Sequence, residues 1–270
     1  MSLRLFLHVA SVEMRKRMSY RVDFWLNAFV GFAAELCIAW FLWQALFAES
    51  GKDTIGGYDF DTMLVYYVFV IIFSRLVRGT EFEASVSQDI YEGGLNRYLV
   101  FPASYFGVKY AQHVGSLLPI LVQTGVFLGA WLIFAGGAGG ESITLSGALM
   151  AAATLVLANL LYYAMSFQLH AVAFWADNVW SLIVSLRFVS NLLGGRLFPL
   201  VLFPVALRSA NEWLPFRTLF ALPVEALLGR VTLEVWLQGM AVGCGWLVVL
   251  TLCARAVWRR GKLQYSGIGI

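Results

Sequence analysis

Residues 24–47 read FWLNAFVGFAAELCIAWFLWQALF, a run in which Glu35 is the sole formal charge. A helix needs about 20 mostly apolar residues to cross the roughly 30 Å hydrocarbon layer of a bilayer, so this stretch is long enough to span one. Working outward, five more stretches pass the same test: Met63 to Val77 with its flanks, Tyr105 to Phe134, Ile143 to Phe174, Val179 to Leu197 and Leu233 to Val257. Six such runs in 270 residues leave too little polar surface to coat a soluble domain. Composition agrees, with 60% hydrophobic and 13% charged residues, where soluble domains average about 45–50% and about 25%. The expected fold is all-α: a polytopic membrane protein with six transmembrane helices in one domain over 1–270. The first run follows basic residues and has no small-residue cleavage site, so it reads as a retained span and not a removable signal peptide.

Charge excludes some classes and orients the chain. Nineteen Lys and Arg against sixteen Asp and Glu give a net +3, too little for a basic nucleic-acid face, so no nucleic-acid partner is expected. Lys and Arg are retained on the cytoplasmic side of a membrane. Arg4, Arg15, Lys16, Arg17 and Arg21 precede the first span, Arg75, Arg78, Arg97 and Lys109 flank the connection after the second, and Arg255, Arg259, Arg260 and Lys262 follow the last. Both termini should therefore be cytoplasmic. One connection disagrees: Arg196, Arg208, Arg217 and Arg230 fall between the fifth and sixth spans, on the outer side by an even count. Cys37, Cys244 and Cys253 all lie in apolar runs and read as small buried hydrophobes, not as a disulfide or zinc framework.

Three elements are not spans. At the N-terminus, within 1–21, Leu3, Phe6, Leu7, Ala10 and Met14 form one helical stripe and Arg4, His8, Ser11 and Arg15 the opposite one. Such a helix lies in the headgroup layer, as an anchor for the first span or as a lever to it. Within 80–103, Thr80 and Glu83 make a capping box, so a helix should begin at Glu81 and run to the glycine pair Gly93 and Gly94. Phe82, Val86 and Ile90 line one side, with Glu83, Gln88, Asp89 and Glu92 around the rest. It reads either as a surface connector or as an exposed apolar ridge that enters a groove on a partner protein. Within 198–228 stand Pro199, Pro204, Pro215 and Pro223, which forbid one continuous helix. Two short pieces, Pro204 to Trp213 and Pro223 to Leu228, read as re-entrant helices at the outer surface whose arginines snorkel to lipid phosphates.

Glu35 and Arg187 are formal charges well inside spans. Each costs roughly 2.5–3.5 kcal/mol or more at the bilayer centre, so they should pair, sit near an interface or line a wet path. Gln123 and Asn159 are further polar candidates, as interhelical ties or path lining. No catalytic or metal-ligating arrangement is present. The phosphate-cradling G-x-x-x-x-G-K-[ST] is absent too: Gly51-Lys52 is followed by Asp53 and Gly261-Lys262 by Leu263. ATP-driven work would need a second polypeptide.

Two segments carry a family resemblance. Asp89 to Pro102, DIYEGGLNRYLVFP, is similar to a cytoplasmic I-x-x-G-x-L-x-x-Y-L-x-x-P segment. Phe174-Trp175-Ala176-Asp177, Gly194-Gly195-Arg196-Leu197-Phe198-Pro199, Phe203-Pro204, Leu214-Pro215-Phe216 and Pro223 look like a fifth span with its small-residue break and outer re-entrant helices. The order of parts resembles the permease subunits of ABC-2 type exporters, the compact six-span bacterial branch without a fused ATPase. The family's usual Ser-Gly is Gly194-Gly195 here. The resemblance implies a multi-pass permease of the bacterial cytoplasmic membrane, paired with a second identical or related permease and surrounded by membrane lipids. Two separate ATPase subunits would carry ATP and magnesium. It makes Glu81, Phe82, Glu83, Val86, Gln88, Asp89 and Ile90 the coupling helix to the ATPase and places the path between the first, second and fifth spans. The rival reading is an ion-gradient-driven secondary transporter. Many of those break matching helices in two inverted halves, whereas here prolines and glycines interrupt only the late part.

Overall fold

The computed structural model describes residues 2–79, 84–100, 103–134 and 143–265. Thr80, Glu81, Phe82 and Glu83, where the capping box is expected, lie outside the described residues, as do Phe101, Pro102 and the link from Gly136 to Glu141. The described chain is helical, with one antiparallel bridge between Ile55 and Tyr58. Its helices are α1 Leu3–Ser19, α2 Arg21–Ser50, α3 Phe60–Arg78, α4 Ala84–Tyr91, α5 Asn96–Leu99, α6 Tyr105–Phe134, α7 Leu145–Ala171, α8 Trp180–Leu193, α9 Val205–Glu212, α10 Ala221–Leu227 and α11 Leu233–Gln264.

Short polar side chains set where several helices begin. Ser2, Asp59, Thr144 and Thr232 accept from the backbone N–H groups of Leu5, Thr62, Gly147 and Val235, filling donors that have no partner in the first turn. The two hydrogen bonds from Thr62 hold the Asp59 carboxyl below its ordinary range.

Among the described residues five helices are long and apolar enough to cross a bilayer: α2, α3, α6, α7 with its 3-10 extension to Phe174, and α11. The expected fifth span differs. α8 has 14 residues, a rise of about 21 Å or roughly two thirds of the hydrocarbon layer. It stops because Gly195 adopts φ +81° and has no room for a side chain, whose Cβ would stand 2.9 Å from Ala221 Cβ and 3.0 Å from the Tyr66 hydroxyl. Tyr66 and Tyr67 of α3 donate to the Gly195 and Leu197 carbonyls at 2.7 and 2.5 Å, and the Ala221 N–H donates to Gly194 O at 2.9 Å. The turn after α8 is thereby tied to both α3 and α10.

Behind that turn, α9 follows Pro204 directly, and α10 carries Pro223 in its first turn, where the missing N–H costs nothing. Leu222 and Val224 of α10 are fully buried, whereas Val205 and Trp213 at the ends of α9 face outward. The expectation that the arginines here snorkel to lipid is corrected for three of them. Arg196 pairs with Glu35, Arg217 pairs with Glu225 at 2.9 Å, and Arg230 sits 3.8 Å from the Tyr58 ring centre and donates to Gly57 O.

The core is built around α3 and α7. Trp43, Met63, Tyr66, Phe69 and Val70 meet Ala151 of α7 and Val224 of α10, and Leu157, Leu161 and Tyr162 of α7 meet Leu219 and Phe220. Against this bundle α1 lies along α6. A Cβ on Gly115 would come within 2.3 Å of Ala10 O, so only glycine lets the two backbones meet. The predicted apolar stripe of α1 is divided: Ala10 is buried and the Phe6 ring faces Tyr110, while Leu3 and Leu7 point outward. The three cysteines also differ from expectation. All are free and exposed, on the outer faces of α2 and α11, because the lipid-facing side of a span is as apolar as its core side.

Candidate functional site

At the end of the bundle where α1 ends and α2 begins, the chain leaves α3 and returns through α4 and α5 to α6. Helix α4 is stopped by Gly93 at φ +72°, with the Leu95 N–H donating to Asp89 O at 2.8 Å. Its side chains do not lie as the sequence pattern suggests. Val86 and Ile90 are buried at 3% and 1% exposure, packed with Leu95, Tyr105, Phe167, Ala171 and Phe174. These two members of the ridge expected to enter a partner groove are therefore turned inward, because the apolar ends of α6 and α7 lie directly against them. What α4 presents outward is Gln88, with Glu92 just beyond its end.

Asp89 is also turned inward. Its carboxylate accepts from Lys109 Nζ at 2.6 Å, Arg97 Nη2 at 2.9 Å and the Tyr105 hydroxyl at 2.8 Å. Lys109 is itself 2% exposed and lies over the Tyr98 and Tyr105 rings. A buried carboxylate in water-poor surroundings is tolerable only when its oxygens are filled in this way. Two further bonds fix α4: Ser87 Oγ lies 3.1 Å from His170 Nδ1, and the Tyr91 hydroxyl donates to Ala176 O at 2.9 Å. Burial, with the nearby Asp177, pushes the Tyr91 phenol above its ordinary value.

Beside this segment a cavity of about 840 Å³ opens between α1, α2, α3 and α8. Lys16, Arg17, Arg75, Arg78 and Arg187 line it, against Glu13 and Asp23. Glu13 lies 3.8 Å from Lys16 and 3.6 Å from Arg17. Arg78 donates to Asn191 Oδ1 and lies over the Tyr162 and Phe220 rings, while Arg75 donates to Ala28 O at 3.3 Å. Arg187, seven residues into α8, carries positive charge about 10 Å along that helix. The cavity is a vestibule lined predominantly by basic side chains.

The four intramembrane polar candidates separate into different places. Glu35 and Arg187 are not each other's partners: Glu35 pairs with Arg196 on the outer surface of α2, beside a second hollow lined by Tyr67 and Leu197, and Arg187 lines the vestibule. Gln123 and Asn159 are buried ties. Gln123 donates to Phe24 O at 3.1 Å, and Asn159 donates to the Leu76 and Val77 carbonyls at 3.0 and 3.1 Å and lies 2.9 Å from His113 Nε2. Sequence reasoning missed Lys109, counting it only toward orientation. A lysine four residues into a helix with no other formal charge was the available signal that it needs a partner.

A family model described as "ABC-2 family transporter protein" matches residues 33–269. No curated protein matches the chain.

Proposed function

The chain belongs to the ABC-2 family of transporter proteins, a multi-pass membrane component of an ABC transporter, and from that premise we propose that it is the permease subunit of an ATP-driven exporter. The ATPase is a separate polypeptide, which holds ATP and magnesium; this chain offers no phosphate-cradling loop. We place the complex in a bacterial cytoplasmic membrane with both termini inside, as one domain over 1–270 in which 1–21 is the anchoring helix, 80–103 the coupling segment and 198–228 the outer re-entrant segment.

The observation that carries this reading is the fastening of α4. A helix that transmits force needs a free outer face and a stiff inner one. Gln88 and Glu92 are exposed, while Asp89 is fixed to α6 through Lys109 and Tyr105, and Tyr91 to the start of the chain leading into α8. A push on the outer face by a closing pair of ATPase subunits passes through these bonds to α6 and α8, which bears a wall of the vestibule. The role of Val86 and Ile90 is then to brace α4 from beneath, and that of Gln88 and Glu92 to touch the partner. A second permease, identical or related, covers the Glu35–Arg196 pair, because an ion pair left against lipid tails is costly.

Co-purification from the native membrane tests the reading. An ATP-hydrolysing subunit should accompany the chain, and Gln88→Lys with Glu92→Lys should weaken its retention at least tenfold while leaving the fold intact. A stable complex without any ATPase, transporting under a proton or sodium gradient alone, overturns it.

A further inference from the structure

Outside the vestibule and the outer face of α4, one more hollow has a built character. It holds about 430 Å³ between the start of α6 and the last turns of α11. Arg255, Arg259 and Lys262 stand on its rim at i, i+4 and i+7, hence on one side of α11, and all three are exposed. None of them forms an ion pair with a described residue, and no carboxylate is among the lining residues. The wall is aromatic: Trp258 stacks on Tyr105 at 4.6 Å between ring centres, with Phe106 and Phe167 beside them.

The depth of the hollow identifies its occupant. Arg255 lies 22 residues beyond Leu233, about 33 Å along the helix and so one hydrocarbon thickness from its start. From Arg255 to Lys262 the helix climbs about 10 Å more, through the headgroup layer. Basic rim and aromatic floor therefore sit where a phospholipid has its phosphate and its first acyl carbons.

We propose that this hollow binds an anionic glycerophospholipid, its phosphate among Arg255, Arg259 and Lys262 and its chain against Trp258 and Phe167. The site adjoins Tyr105, which also bonds Asp89, so a lipid seated there braces the α4 anchorage from the bilayer side. The proposal stands on the hollow between α6, α7 and α11 and does not depend on the exporter reading.

Native mass spectrometry of the purified full chain tests it, with phosphatidylglycerol and phosphatidylcholine of matched acyl chains added in equal amounts. Phosphatidylglycerol should be retained about tenfold or more in preference, since the three basic residues on the rim attract its net negative headgroup. Replacing Arg255, Arg259 and Lys262 together by Gln should bring the preference to within about twofold. Ala103→Trp, which fills the hollow and leaves the charges in place, should do the same, whereas Arg260→Gln, outside the hollow, should leave it unchanged. Equal retention of the two lipids, or a preference that survives the triple Gln variant or Ala103→Trp, overturns the proposal. So does displacement of phosphatidylglycerol by inorganic phosphate as readily as by lysophosphatidylglycerol, for the site would then read phosphate alone. If the triple variant fails to fold, Ala103→Trp and the single Arg259→Gln give the same decision.

Discussion

Asp89 with Lys109 and Glu35 with Arg196 are the same chemistry in two settings. The first pair is closed over, with side-chain exposures of 7% and 3%, and a tyrosine and an arginine fill the remaining acceptor sites. The second lies on the outer surface of the bundle, where the Glu35 side chain is 44% exposed. Buried, a pair of charges holds two segments in one geometry, because separating them leaves an unsolvated ion. Uncovered on the outer face of a span, it is available to a neighbour that can close over it. Rigidity at α4 and availability at α2 are thus set by surroundings and not by residue type.

The largest way to break this contrast is Asp89→Ala, which strands Lys109. We expect a loss of about 3–5 kcal/mol in unfolding free energy, read as a pronounced fall in thermal midpoint, with most of it restored by the apolar pair Asp89→Leu and Lys109→Met. A cost under about 1 kcal/mol would make the pair an ornament of the surface kind. Next comes Asn159→Leu, which leaves the Leu76 and Val77 carbonyls without their side-chain donor. It should cost about 1–3 kcal/mol by denaturant titration.

Glu35→Gln sharpens the other side of the comparison. Self-association, followed by crosslinking in the membrane, should fall, because the contact that a neighbour makes with the pair is lost. Restoration of association by the swapped pair Glu35→Arg with Arg196→Glu would confirm a contact of opposite charges. Smallest is Asp59→Asn. Asparagine caps a helix about as well as aspartate, so stability near neutral pH should move by only a few tenths of a kcal/mol. The carboxyl of Asp59 is held below its ordinary value of 3.8 by Thr62. Its contribution is therefore fully present above that value and fades as pH falls through the lower folded one. The Asn variant should lose that part of the acid sensitivity, measurable as a flatter thermal midpoint below pH 5.

Much of the architecture was legible because a bilayer imposes length. The spans of α2, α3, α6, α7 and α11, the stop at Gly93, and the proline-broken segment before α11 all follow from local patterns that a helix must satisfy by itself. The candidate site was legible only in part. Gln88 and Asp89 could be placed on a short polar helix, yet the inward turn of Asp89, Val86 and Ile90 depended on Lys109 and Phe167, brought there from α6 and α7. Arg187 could be recognised as a costly charge but not matched to a cavity, since Arg75 and Asp23 reach that cavity from other helices.

Hydropathy shows where the boundary falls. Helices α3 and α11 are almost equally apolar, yet most of α3 is buried and most of α11 is exposed. The sequence by itself determined that both cross the membrane, because an exposed backbone in hydrocarbon must bond within its own helix and must carry apolar side chains on every side. Only the tertiary structure decided which of them forms the core, which cysteines face lipid and which charge meets which. Lipid and protein interior are equally apolar to a side chain, so nothing in its chemistry distinguishes one from the other until the neighbouring helices take their places.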